Sequence, residues 1–168
     1  PEIQQRTVLC TAPSKTFNLA GLQVSNIFIA DDELRRKFLD EINRCGYSQA
    51  NALGLTACRA AYEGGLPWVR ELRAYLAGNF KLIRETLASA LPTVTLIEPQ
   101  GTYLAWLDFN ATALTHDEIN RRMLSAAKLW LDEGTMFGPE GSGFMRINTA
   151  CPRSVIADAM ERIVRAFR

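Results

Sequence analysis

Two residues stand where their types and surroundings could do chemistry: Lys15 near the start of the chain and Arg146 near its end. Lys15 follows Thr7-Val8-Leu9-Cys10, a short apolar run that reads as a buried strand, closed by Thr11-Ala12-Pro13-Ser14. A lysine just beyond such a strand is either a solvated charge or, if desolvated, an amine of lowered pKa suited to Schiff-base chemistry. Lys15-Thr16 also looks like the end of a phosphate-binding loop. That loop needs GxxxxGK before its Ser or Thr, and no glycine precedes Lys15, so the reading is rejected. In Phe144-Met145-Arg146-Ile147-Asn148, alternation puts Met145 and Ile147 on one face and Arg146 on the other. An arginine there is either an exposed strand residue or a guanidinium fork for a carboxylate.

Other candidates carry less. Gly141-Ser142-Gly143 begins like a dinucleotide fingerprint, but the third glycine position holds Arg146 and the loop precedes a strand. His116 is the only histidine and falls in the first turn of a helix with a Thr115/Glu118 capping box; it reads as a surface helix residue. Cys10, Cys45, Cys58 and Cys151 show neither a CxxC pair nor a zinc pattern, so no metal is expected and the cysteines read as free thiols in a reducing cytoplasm. Tyr103 and Trp106 read as core or interface aromatics.

The elements that must position these residues follow from spacing. Val24 to Ile29 reads as a second buried strand, and Asp31, Asp32 and Glu33 suit a helix N-terminus ahead of Leu34, Phe38, Leu39 and Ile42. Ala52 to Glu63 reads as helical. Leu66, Val69, Leu72, Leu76, Phe80, Ile83 and Leu87 step by three or four along one long helix, with Pro67 near its start and Pro92 beyond its end. Strands are expected at Val94–Ile97, Thr102–Phe109, Leu129–Leu131 and Phe144–Asn148, and a last helix carries Val155, Ala159, Ile163, Val164 and Phe167. The 168 residues balance 19 basic against 18 acidic side chains with no block of one sign, so neither a nucleic acid nor an anionic membrane is an expected partner. No apolar run approaches a membrane span, and the opening residues do not read as a signal peptide. A start at Pro1 without Met reads as a piece of a longer protein.

Taken together, three segments resemble one family. Thr11-Ala12-Pro13-Ser14-Lys15-Thr16-Phe17-Asn18-Leu19-Ala20-Gly21-Leu22 is similar to the pyridoxal-phosphate lysine motif of class I/II aminotransferases, in the branch of cystathionine β-lyase-like C–S lyases. Gly143 to Arg153 resembles that family's substrate-carboxylate arginine segment, and Pro99 to Asp108 resembles the strand pair opening its small domain. The resemblance implies an α/β fold: residues 1–65 as the C-terminal remnant of the cofactor-binding large domain, 66–91 as a linking helix and 92–168 as a small α+β domain. It implies pyridoxal 5'-phosphate as cofactor and Lys15 as the catalytic lysine that bears it. Ser14 and Thr11 would lend hydroxyls to the cofactor, and Arg146 would hold the α-carboxylate of an amino-acid substrate. It also implies a homodimeric parent enzyme with active sites at the subunit interface, near which the segment Tyr47 to Asn51 would lie. Where many aminotransferases have an arginine or lysine for the cofactor phosphate, eight residues after the lysine, this chain has Gln23. That substitution favours the lyase branch, β-elimination from sulfur amino acids. An aminotransferase and a non-catalytic binding module stay open as alternatives. Most of the family's cofactor pocket precedes the lysine, so the chain by itself is expected to be inactive.

Overall fold

The computed structural model describes residues 2–47 and 49–168; of the segment 47–51, Ser48 lies outside the described residues. The chain forms two units, Pro1–Glu71 and Leu72–Arg168.

In the first unit a short helix α1 (Glu2–Gln5) leads into β1 (Val8–Thr11), which pairs antiparallel with β2 (Asn26–Ile29), Val8 opposite Ile29 and Thr11 opposite Asn26. The strands form where the β-branched and apolar residues are, but they are not the buried strands expected from the sequence. Leu9 and Phe28 are more than half exposed, and only Ile29 of β2 is buried. The apolar run encodes strand formation; burial needs neighbours on both edges and faces, and a two-stranded ribbon has few. Asp31 caps α2 (Asp32–Arg44), its carboxylate accepting the Leu34 N–H at 2.7 Å. Along α2 the pairs Glu33–Lys37 and Arg36–Asp40 lie on the solvent side, where such pairs contribute little. Asn51 caps α3 (Ala52–Gly64), and α4 (Leu66–Ala90) follows at once.

The second unit holds the main core. From Leu76 onward the stripe on α4 is buried, with Ile83 fully so; Leu66, at its start, is exposed. Against it lies a four-stranded antiparallel sheet of order β3 (Thr95–Ile97), β4 (Leu104–Asp108), β6 (Phe144–Asn148), β5 (Asp132–Glu133). Helices α5 (His116–Ser125) and α6 (Arg153–Phe167) complete the layer. Ala105 and Leu107 of β4, Met145 and Ile147 of β6, Ile119 and Met123 of α5 and Ile163 of α6 enter one apolar cluster with Ile83 and Leu87. One sheet face is thus packed by helices, as in α+β domains. The other face carries Trp106, Phe144 and Arg146, and register sets both Trp106 and Asp132 opposite Arg146.

Leu129-Trp130-Leu131 is not a strand; the strand begins one residue later, at Asp132. Lys128 takes a left-handed φ of 56°, and the Leu129 N–H turns back to the Met123 carbonyl at 3.0 Å. These residues therefore serve to lead the chain off α5, and Trp130 is left 93% exposed.

Candidate active site

Lys15 sits on a turn that ends β1. The Phe17 N–H donates to the Pro13 carbonyl at 3.0 Å and the Leu19 N–H to the Ser14 carbonyl at 2.9 Å, while Asn18 adopts a left-handed φ of 55°. Phe17 anchors this turn. Its ring meets Tyr62 edge-on with centroids 5.7 Å apart and lies nearly parallel to Trp68 at 6.4 Å. A Cβ on Gly65 would come within 2.5 Å of the Phe17 ring and of the Ala61 carbonyl, so glycine at 65 is what admits the ring. The anchored turn leaves Lys15 exposed. Among the described residues no carboxylate pairs with its amine. Thr11 and Ser14 are half-buried beside it in sequence. A primary amine with the Ser14 hydroxyl on the same turn and Thr11 at the end of β1 is a set of groups that fits an aldehyde-bearing phosphate ester. Gln23 is an exposed left-handed cap of the 3-10 turn Ala20–Leu22, so this position offers the phosphate no cation.

Arg146 is held more firmly than an exposed strand arginine. Its Nε and Nη2 both donate to a single oxygen of Asp132, Oδ2, at 3.0 and 2.5 Å. Phe137 lies under the guanidinium, its ring centroid 4.4 Å from Cζ. Phe137 in turn meets Trp106 edge-on at 5.6 Å, and Trp106 stacks on Phe144 at 5.6 Å. Phe137 reaches this place because two 3-10 turns, Gly134–Phe137 and Pro139–Gly141, press together at their glycines. A Cβ on either Gly134 or Gly141 would run into the backbone of the other. Beside Asp132 and Arg146 lies a cavity of about 250 Å³ walled by Leu129, Leu131, Val155 and Ile156. Cys151 also lines it, and burial raises its thiol pKa, favouring the neutral form.

Thr11, Ser14 and Lys15 therefore belong to the first unit, on β1 and its following turn, and Arg146 to the second, on β6. His116 differs from the surface residue expected. Its side chain is only 13% exposed; Nδ1 accepts the Gly143 N–H at 3.3 Å, and Nε2 faces Glu133 Oε2 at 3.3 Å and Thr135 Oγ1 at 3.2 Å. It ties α5 to β5 and to the loop before β6. Among the described residues no group of three His, Cys, Asp or Glu side chains could hold a metal ion. Sequence reading missed Asp132, Phe137 and the anchor Phe17. Only the aromatic of the lysine motif could have hinted at one of them; the other two depend on strand register and a glycine contact.

The chain matches the family described as aminotransferase class I and II over residues 1–163. It is 44% identical over 161 residues to cystathionine beta-lyase PatB of Bacillus subtilis (strain 168), covering 96% of this chain and 42% of that protein. It is 34% identical to protein MalY of Escherichia coli (strain K12), covering 95% of this chain and 41% of MalY. The crystal structure of cystalysin from Treponema denticola, which contains a pyridoxal 5'-phosphate cofactor, superposes with a TM-score of 0.92 at 33% identity, over 98% of this chain and 42% of cystalysin. The chain thus spans about two fifths of the length of these relatives. With the family model matched over residues 1–163 and a relative 44% identical over 96% of its length, this chain belongs to the class I and II aminotransferase family.

Proposed function

We propose that this chain is the portion of a pyridoxal-phosphate-dependent C–S β-lyase that carries the cofactor lysine and the substrate-carboxylate arginine, acting on cystathionine-like sulfur amino acids. The observation that carries the reading is the Lys15 amine, exposed on a turn anchored by Phe17 and, among the described residues, paired with no carboxylate. The likeness to cystathionine beta-lyase PatB and the uncharged Gln23 favour elimination over amino transfer.

Pyridoxal 5'-phosphate, when bound, supplies an aldehyde carbon for an amine and a ring that takes up the electron pair left at Cα. Lys15 Nζ would hold that aldehyde carbon, and Ser14 and Thr11 would offer hydroxyl donors to the phosphate. With its amine free, Lys15 Nζ would be the base that takes the proton from the substrate Cα. Arg146 would bind the substrate carboxylate through the guanidinium edge that Asp132 leaves free. The net reaction this would serve is loss of a thiolate from Cβ, with water converting the remainder to pyruvate and ammonia. The domain roles of 1–65, 66–91 and 92–168 belong to this proposal, as does assembly as a homodimer, for which the family resemblance is the support. Two exposed free thiols, Cys10 and Cys45, support a reducing, cytoplasmic setting.

The test is an absorbance titration of the full-length protein with the cofactor, beside Lys15→Ala. The expected result is a Schiff-base band that the variant lacks, with pyruvate released from cystathionine and no dependence on a keto acid. Keto-acid-dependent transfer without pyruvate release would mean an aminotransferase. No band in the wild-type protein would overturn the enzyme reading.

A further inference from the structure

We infer that Asp132 is a positioning residue for carboxylate recognition, holding the Arg146 guanidinium so that its outer edge faces the ligand. The inference rests on the reading of Arg146 as the carboxylate-binding residue and adds what makes that arginine competent.

A guanidinium has five N–H donors in one plane, and binding a carboxylate by two parallel bonds requires that plane to be fixed. A free arginine side chain loses rotamer entropy when it is fixed. Here the fixing is done before any ligand arrives. Asp132 Oδ2 takes one N–H from Nε and one from Nη2, which sets the position and in-plane rotation of the group. The Phe137 ring beneath Cζ sets the tilt of the plane. Three N–H donors stay outside the Asp132 pair: both on Nη1 and the second on Nη2. Those on the outer edge are the pair a carboxylate takes end-on. Backbone register enforces the arrangement, because Asp132 stands directly opposite Arg146 across the β5–β6 pairing.

Asp132 also carries a negative charge, which opposes a ligand carboxylate. Its side chain is 45% exposed, so water and salt screen that repulsion, whereas the geometric hold is local. The two effects separate by substitution. Both bonds end on one oxygen, so the amide oxygen of asparagine can accept them without the charge. Alanine removes the hold and the charge together.

The experiment uses the full-length protein with its cofactor bound. L-Alanine, which has an α-carboxylate and no leaving group, is titrated against ethylamine, which lacks the carboxylate, both followed by cofactor absorbance. Asp132→Ala is expected to weaken L-alanine about tenfold and leave ethylamine unchanged. Asp132→Asn is expected to restore L-alanine binding to within about threefold of wild type. In an Arg146→Ala background, Asp132→Ala is expected to have no further effect. Equal loss for both ligands means a structural role only and overturns the inference, as does an Asp132→Asn variant as impaired as Asp132→Ala. An impaired Arg146→Ala beside an unimpaired Asp132→Ala also overturns it, while leaving the arginine reading intact. An Arg146→Ala protein that binds L-alanine normally overturns that reading, and the inference with it.

Discussion

Phe17 shows how a residue with no chemistry of its own can set the place of the proposed cofactor lysine. Its edge contact with Tyr62 and its near-parallel contact with Trp68 hold the turn that displays Lys15. Aromatic pairs contribute about 0.5–1.5 kcal/mol each beyond their buried area. Removing both should let the turn sample conformations in which the amine is misplaced. In the full-length protein, Phe17→Ala is expected to weaken cofactor binding about tenfold while Lys15 still forms the same absorbance band. A spectral titration checks this; an unchanged affinity would mean the anchor is dispensable. At this scale the sequence marked the candidate residues and said less about what holds them. Lys15 stood out by its motif, and Arg146 by an alternation that the buried Met145 and Ile147 bear out. Asp132 was invisible because it lies fourteen positions before Arg146 and meets it only through strand register.

Among the elements, those marked by local chemistry matched best. The Thr115/Glu118 capping box is present in both directions: the Thr115 hydroxyl accepts the Glu118 N–H, and the Glu118 carboxylate accepts the Thr115 N–H. The Thr115 N–H, then the Thr115 hydroxyl, favour the ionised carboxylate and hold Glu118 below its ordinary pKa. A folded value below the unfolded one, about 4.3, means stability that is present above that pH and lost as pH falls through the folded value. Glu118→Gln keeps an acceptor but no charge. The variant should therefore unfold at lower urea than wild type at pH 7, and the gap should close in acid. Urea midpoints at pH 7 and pH 3 measure it; a gap that widened in acid would contradict the sign. Elements marked only by apolar content fared worse. Val8–Thr11 is a strand but not a buried one, and Leu129–Leu131 is an irregular segment leaving α5, because apolar runs do not say which neighbours will cover them.

For the whole molecule, the apolar cluster is distributed unevenly along the chain. Every member of the main core lies between Leu76 and Phe167, inside the second unit. In the first unit the buried apolar side chains are few, Val24, Ile29 and Cys58 among them, and its two strands are largely exposed. Burial of apolar surface is the main favourable term in folding, at roughly 25 cal/mol per Å², and it must offset the entropy of ordering every residue. The second unit has a core that can do so, while the first has too little. Residues 72–168 alone should therefore unfold cooperatively in urea, and residues 1–71 alone should show no such transition. Ile83, fully buried on α4, gives the internal control: Ile83→Ala should lower the stability of 72–168 by about 2–5 kcal/mol. Circular dichroism against urea reads all three chains. A cooperative transition in 1–71 would show that its exposed strand pair is stabilised by something other than apolar burial. A transition in 72–168 indifferent to Ile83→Ala would show that the α4 stripe is not what holds the second unit together.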